Sequence, residues 1–162
     1  MLDDVFADDA ASAGGAIENY SGTLTATADT FTGDTATDSG GGIYNARGTA
    51  TLANDTFTGD SAGSYEGAIY SNAGSLSVVN DTISANSANY GGGVLLDNAD
   101  PTVTNTILAS NPGVTAWRST IRPSPTGATT STTTTFRTCL EGRPSVASAP
   151  APTSRPIRCS VP

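Results

Sequence analysis

Two sets of acidic side chains recur at a spacing of 26 residues: Asp29, Asp55 and Asp81, and then Asp34 and Asp60, whose third position is Asn86. Like charges opposite one another on adjacent strands repel, and a column of hard oxygen donors is the chemistry that Ca²⁺ accepts. Asp29, Asp55 and Asp81 are therefore candidate Ca²⁺ ligands. The simpler reading is that exposed corner carboxylates accept backbone N–H bonds and are screened by salt. Tyrosines form the second group: Tyr44 and Tyr70 occupy equivalent repeat positions, with Tyr65 and Tyr90 in the segments between. Aromatic rings over an acidic wall can stack on sugars or anchor a partner protein, so these four are the candidate contact residues. Hydroxyls form the third group, in the rows Thr25/Thr51/Ser77, Thr30/Thr56/Thr82 and Thr32/Thr58/Ser84. A flat Thr-x-Thr ladder could order water and bind ice, although threonine is also an ordinary solvent-face strand residue.

Other chemistry is excluded by what is missing. His, Lys and Gln do not occur, which removes histidine metal sites, His-dependent triads, Schiff-base lysines and the P-loop lysine. The glycine triplets 40–42 and 91–93 are accordingly turn glycines and not phosphate cradles. Residues 1–111 hold 14 acids and one base, Arg47, for a net charge of −13, whereas 112–162 hold six arginines and Glu141, for +5. An acidic body without a basic stripe argues against nucleic acid as a partner. No apolar run is long enough to span a membrane, and the start has neither the basic nor the apolar region of a signal peptide. Both cysteines, Cys139 and Cys159, lie beyond the body, where one disulfide is conceivable.

The elements that must carry these groups follow from an internal repeat. Shifting the chain by 26 residues lays Gly14–Ala36 on Gly40–Ala62 with 14 identities in 23 positions, and a second shift lays Gly40–Ala62 on Glu66–Ala88 with 9. A shortened copy runs from Gly91 to Ile107, and Val5-Phe6 begins a partial copy before them all. Apolar residues alternate with hydroxyls in Thr23-Leu24-Thr25-Ala26-Thr27 and again, with opposite parity, in Thr30-Phe31-Thr32. That is the period of half-buried strands separated by a corner. Asn and Asp at 54–55 and 80–81 tolerate the left-handed conformations a corner needs. Three short strands per 26 residues make one coil of an all-β parallel β-helix (β-solenoid) of about four coils. The interior columns are expected to be Ile17/Ile43/Ile69/Val94, Leu24/Ala50/Leu76, Ala26/Leu52/Val78, Phe31/Phe57/Ile83/Ile107 and Ala36/Ala62/Ala88.

Gly14-Gly15-Ala16-Ile17 followed by Phe31-x-x-Asp34, Phe57-x-x-Asp60, and Gly67-Ala68-Ile69 followed by Ile83-x-x-Asn86 resemble the GGAI and FxxN motifs of polymorphic outer-membrane-protein repeats. More broadly, residues 4–111 resemble bacterial right-handed parallel β-helix repeat proteins. Asp34 and Asp60 depart from that pattern, which has Asn there. The resemblance implies a secreted or cell-surface location and a non-enzymatic structural or adhesive role toward a host or cell-surface protein or a polysaccharide. The alternative is a carbohydrate-active β-helix, hydrolase or lyase, because the superfold often hosts one. Its histidine- and lysine-containing motifs are absent here, Arg47 is the one body arginine, and acids occur in every coil, so no catalytic pair stands out.

After Asn111 the pattern stops. Residues 112–162 contain eight of the nine prolines and a hydroxyl tract at 129–135. Such a composition buries too little apolar surface to offset chain entropy, so this Pro/Thr/Arg-rich tail is expected to be largely disordered, or to be an out-of-frame reading of further repeats. Trp117 and Ile121 are its nearest bulky apolar residues, and 112–122 are expected to fold over the last coil.

Overall fold

The computed structural model describes residues 1–97 and 100–112, together with the backbone of 117–120 and 137–139. The repeat builds a parallel β-solenoid whose coils each contribute a strand to four sheets. In chain order these are a phenylalanine sheet (Val5–Ala7, Thr30–Thr32, Thr56–Thr58, Thr82–Ser84, Ile107–Ala109) and an alanine sheet (Ala10–Ala13, Thr35–Ser39, Ser61–Tyr65, Ser87–Tyr90). A tyrosine sheet (Ile17–Tyr20, Ile43–Ala46, Ile69–Asn72, Val94–Asp97) and a threonine sheet (Thr23–Thr27, Thr49–Ala53, Ser75–Val79, Asp100–Thr104) complete the coil. Three strands per coil were expected and four are present. The alanine strand is the one the alternation did not disclose, because it carries few apolar residues and its pairing slips between Ala62 and Tyr65.

Equivalent residues stack in register, so the core is a set of columns. Phe31 and Phe57 are fully buried with rings 4.4 Å apart and parallel, and Phe6 stacks on Phe31 at 4.9 Å. Ile43, Ile69 and Val94 form the next column. Ala50 and Leu76 sit beside Leu52 and Val78, the large and small residues exchanging places between coils, which conserves volume. Phe6, Ile17 and Leu24 of the first coil are only partly covered.

One expected column member is wrong. Leu108, not Ile107, pairs with Ile83 and is buried, while Ile107 is 46% exposed. The cause lies at the preceding corner. Asn105, with φ 51°, takes the left-handed place of Asn80, and Thr106 stands where the other coils have aspartate. Every later residue is therefore one position further on.

Two glycines explain why coils pack this closely. Gly40 turns the chain at φ 65°, which side-chain-bearing residues rarely adopt. Gly41 has an ordinary φ, but a Cβ there would meet the Gly67 carbonyl of the next coil at 2.2 Å. Beyond the fourth coil, the backbone of Trp117–Thr120 pairs in parallel with Val94–Asp97, and that of Arg137–Cys139 with Ile107–Ala109. The remainder of the tail, including Ile121 and Cys159, lies outside the described residues.

Candidate functional site

The corners decide what the aspartates can do. Around Asp29 the backbone changes partners: Ala28 N–H donates forward to Ala53 O, whereas Thr30 N–H donates back to Asp4 O. The N–H of Asp29 between them has no carbonyl to reach, and the Asp55 carboxylate accepts it at 2.8 Å. Asp29 does the same for Asp4 at 2.8 Å, and Asp81 for Asp55 at 2.6 Å. Asp29, Asp55 and Asp81 are each 1% exposed, so the expected exposed corner carboxylates are in fact buried, although the backbone-capping role is the one they perform. The second oxygens of Asp29 and Asp55 accept the Thr27 and Ala53 N–H groups. Oxygens committed to successive layers do not converge, and among the described residues no three acidic, histidine or cysteine side chains gather as a metal would require. The column does not fit Ca²⁺ as its ligand set.

Burial raises the Asp81 carboxyl to about 7; the bond from Asp55 N–H opposes this rise and the Asp55 charge adds to it. Asp55 is raised as well, again chiefly by burial. Thr106 closes this column, donating its hydroxyl to Thr104 O at 3.1 Å and Val78 O at 3.4 Å.

A third polar column went unrecognised. Asn19 Nδ2 donates to Asn45 Oδ1 at 2.8 Å, and Asn45 Nδ2 donates to Ser71 Oγ at 3.0 Å. Both amides also reach carbonyls of the turn that follows, at Gly22 and Gly48. The identity of Asn19 with Asn45, each three residues before a glycine, was the available signal.

The tyrosines come together as a single row. Tyr44 stacks on Tyr70 with centroids 5.3 Å apart, Tyr70 on Tyr65 at 5.7 Å, and Tyr65 on Tyr90 at 5.5 Å. The row crosses from the tyrosine sheet to the end of the alanine sheet. Tyr65 and Tyr90 are 39% and 54% exposed, Tyr44 is half-buried and Tyr70 is buried. Because the ring faces cover one another, the row presents mainly edges and hydroxyls, a geometry suited to polar contact more than to stacking on sugar rings. Burial, with the charges of Asp97 and Asp38 among its neighbours, pushes the Tyr70 phenol up to about 12, so it stays a hydrogen-bond donor. Tyr20 was not singled out from the sequence. It is exposed, accepts a 3.0 Å bond from Arg47 Nη1 on the following coil and lies 5.8 Å from that guanidinium carbon. Arg47 is thus an exposed corner residue engaged with Tyr20.

The hydroxyl rows are in register as expected on the threonine sheet, where Thr25, Thr51, Ser77 and Thr102 align. On the phenylalanine sheet Thr30, Thr56 and Thr82 are followed by Ile107, and Thr32, Thr58 and Ser84 by Ala109. These columns define a parallel β-solenoid repeat protein. No family model, no curated protein and no solved structure matches the chain. The likeness to polymorphic outer-membrane-protein repeats therefore stands on the GGAI and FxxN motifs themselves.

Proposed function

We propose that this solenoid is a non-enzymatic structural and adhesive module of a secreted or surface-exposed protein, and that the row Tyr44–Tyr70–Tyr65–Tyr90 is its contact face. The observation that carries this reading is the row itself. Four aromatic side chains from three successive coils are pre-ordered against one another and surface at Tyr65 and Tyr90. Rigid aromatics already held in place lose little conformational entropy on binding. The partner is a host or cell-surface protein or a polysaccharide reading phenol edges. Against a hydrolase or lyase stands the use of the recurring aspartates, whose carboxylates are buried and hold backbone N–H groups. Wild-type protein and a Tyr65→Ser/Tyr90→Ser double variant, titrated against extracellular-matrix proteins and acidic and neutral polysaccharides, test the reading. The double variant is expected to bind its target at least about tenfold more weakly, the loss of one to two aromatic anchors. Release of new reducing ends or unsaturated uronates, abolished by Arg47→Ala, would replace this reading with the carbohydrate-active one.

A further inference from the structure

The corner after the phenylalanine sheet is closed by a column of five: Asp9, Asp34, Asp60, Asn86 and Asn111. From the second member on, each side-chain Oδ1 accepts the backbone N–H of the member one coil below, at 3.0, 3.1, 2.8 and 3.0 Å. Aspartate and asparagine do this equally well. They differ in the other atom. Asn86 Nδ2 donates to Phe57 O at 3.1 Å, and Asn111 Nδ2 donates to Ile83 O at 2.9 Å. By strand register the corresponding carbonyl is that of Phe31 for Asp60 and that of Phe6 for Asp34. A carbonyl can only accept, and an ionised carboxylate has no hydrogen to give. Asp34 Oδ2 and Asp60 Oδ2 are buried without any hydrogen-bond partner, in residues that are fully inaccessible to solvent. One proton on each supplies the missing donor.

We propose that Asp34 and Asp60 are carboxylic acids in the folded solenoid, each using its proton where the asparagines of the same column use an amide hydrogen, so that the stack tightens in acid and loosens when the proton leaves. The electrostatics of the corner act in the same direction. Burial raises Asp60 to about 7; the Asp34 backbone bond opposes this and the Asp34 charge adds to it. Asp34 is raised by burial first and further by the charges of Asp9 and Asp8. From the coil above, Asp60 faces the uncharged Asn86. Arg47, the one basic side chain before residue 113, is bonded to Tyr20 at a different corner.

The sign follows from linkage. Between the ordinary carboxyl value of 3.8 and about 7, the folded chain holds this proton and the unfolded chain does not. Stability is therefore complete below that window and falls as pH rises through it. Asp81, also raised to about 7, adds to the fall in the wild type.

Urea unfolding of the full chain at about pH 5 and about pH 8, followed by circular dichroism, reads the effect. The wild-type midpoint is expected to be lower at the higher pH. Asp60→Asn is expected to raise the midpoint at the higher pH and narrow the gap, with Asp34→Asn doing the same to a smaller extent. Infrared spectra at about pH 6 should show a protonated-carboxyl band that weakens in either variant. An unchanged gap in both variants, or a wild-type spectrum without that band, overturns the proposal. The spectrum decides the matter even where a variant fails to fold.

Discussion

Two corners of this solenoid perform the same task with different chemistry. Asn19, Asn45 and Ser71 close the corner after the tyrosine sheet with amides and a hydroxyl, each of which carries its own hydrogen. Asp34 and Asp60 close the corner after the phenylalanine sheet with groups that carry one only when protonated. Both columns are buried, and both hold groups that the backbone ladder leaves over. The amide column is indifferent to pH, whereas the carboxyl column makes cohesion between coils a function of it. Burial of a polar group is safe when its donors and acceptors match whatever it faces, and costly otherwise.

The strongest test of this contrast is Asn45→Ala. It removes a buried amide that bonds Asn19, Ser71 and the Gly48 carbonyl, and is expected to cost roughly 2–4 kcal/mol of unfolding free energy. The loss should be the same at about pH 5 and about pH 8 in denaturant titrations. A loss that grew with pH would erase the distinction between the two corners. Asn86→Asp sharpens it from the other side, adding one more carboxyl to the second column and withdrawing the donor to Phe57 O. Roughly 1–3 kcal/mol should be lost at about pH 8 and distinctly less at about pH 5. Equal losses at the two pH values would mean that the column does not sense protonation. The smallest effect belongs to Thr58→Ala, on the outward face beside Phe57. Thermal melts should register a change under about 0.5 kcal/mol at either pH. A larger one would place the phenylalanine sheet's outer hydroxyls within the cohesive network.

The solenoid was legible because its signal is repetition. Columns such as Phe31/Phe57/Ile83 follow from a 26-residue shift and strand parity, with no knowledge of the corners. The corners themselves were harder to read. Asp55 looks like any polar turn residue in sequence. Its burial becomes apparent only when the N–H of Asp29 is found between partners in opposite directions. Ile107 was placed inward because Thr106-Ile107 imitates Thr82-Ile83, and the spacing alone did not show that Thr106 had replaced an aspartate. The tyrosines were correctly singled out as a group. Their mutual stacking, and the burial of Tyr70, depend on the fourth strand that the alternation missed.

That fourth strand also governs how the repeat tolerates change. Phe6 to Phe31 and Ile83 to Leu108 span 25 residues, while Phe31 to Phe57 and Phe57 to Ile83 span 26, yet the hydrophobic columns stay aligned. The irregularities in pairing fall at Ala11/Ala13 and Ala62/Tyr65, both within the alanine sheet. This side of each coil acts as a length buffer, taking up an extra or missing residue before the other three sheets feel it. It is the natural place to graft a foreign peptide into the repeat, and a graft there would be displayed beside Tyr65 and Tyr90, one copy per coil, at a periodicity set by the backbone ladder of about 4.8 Å.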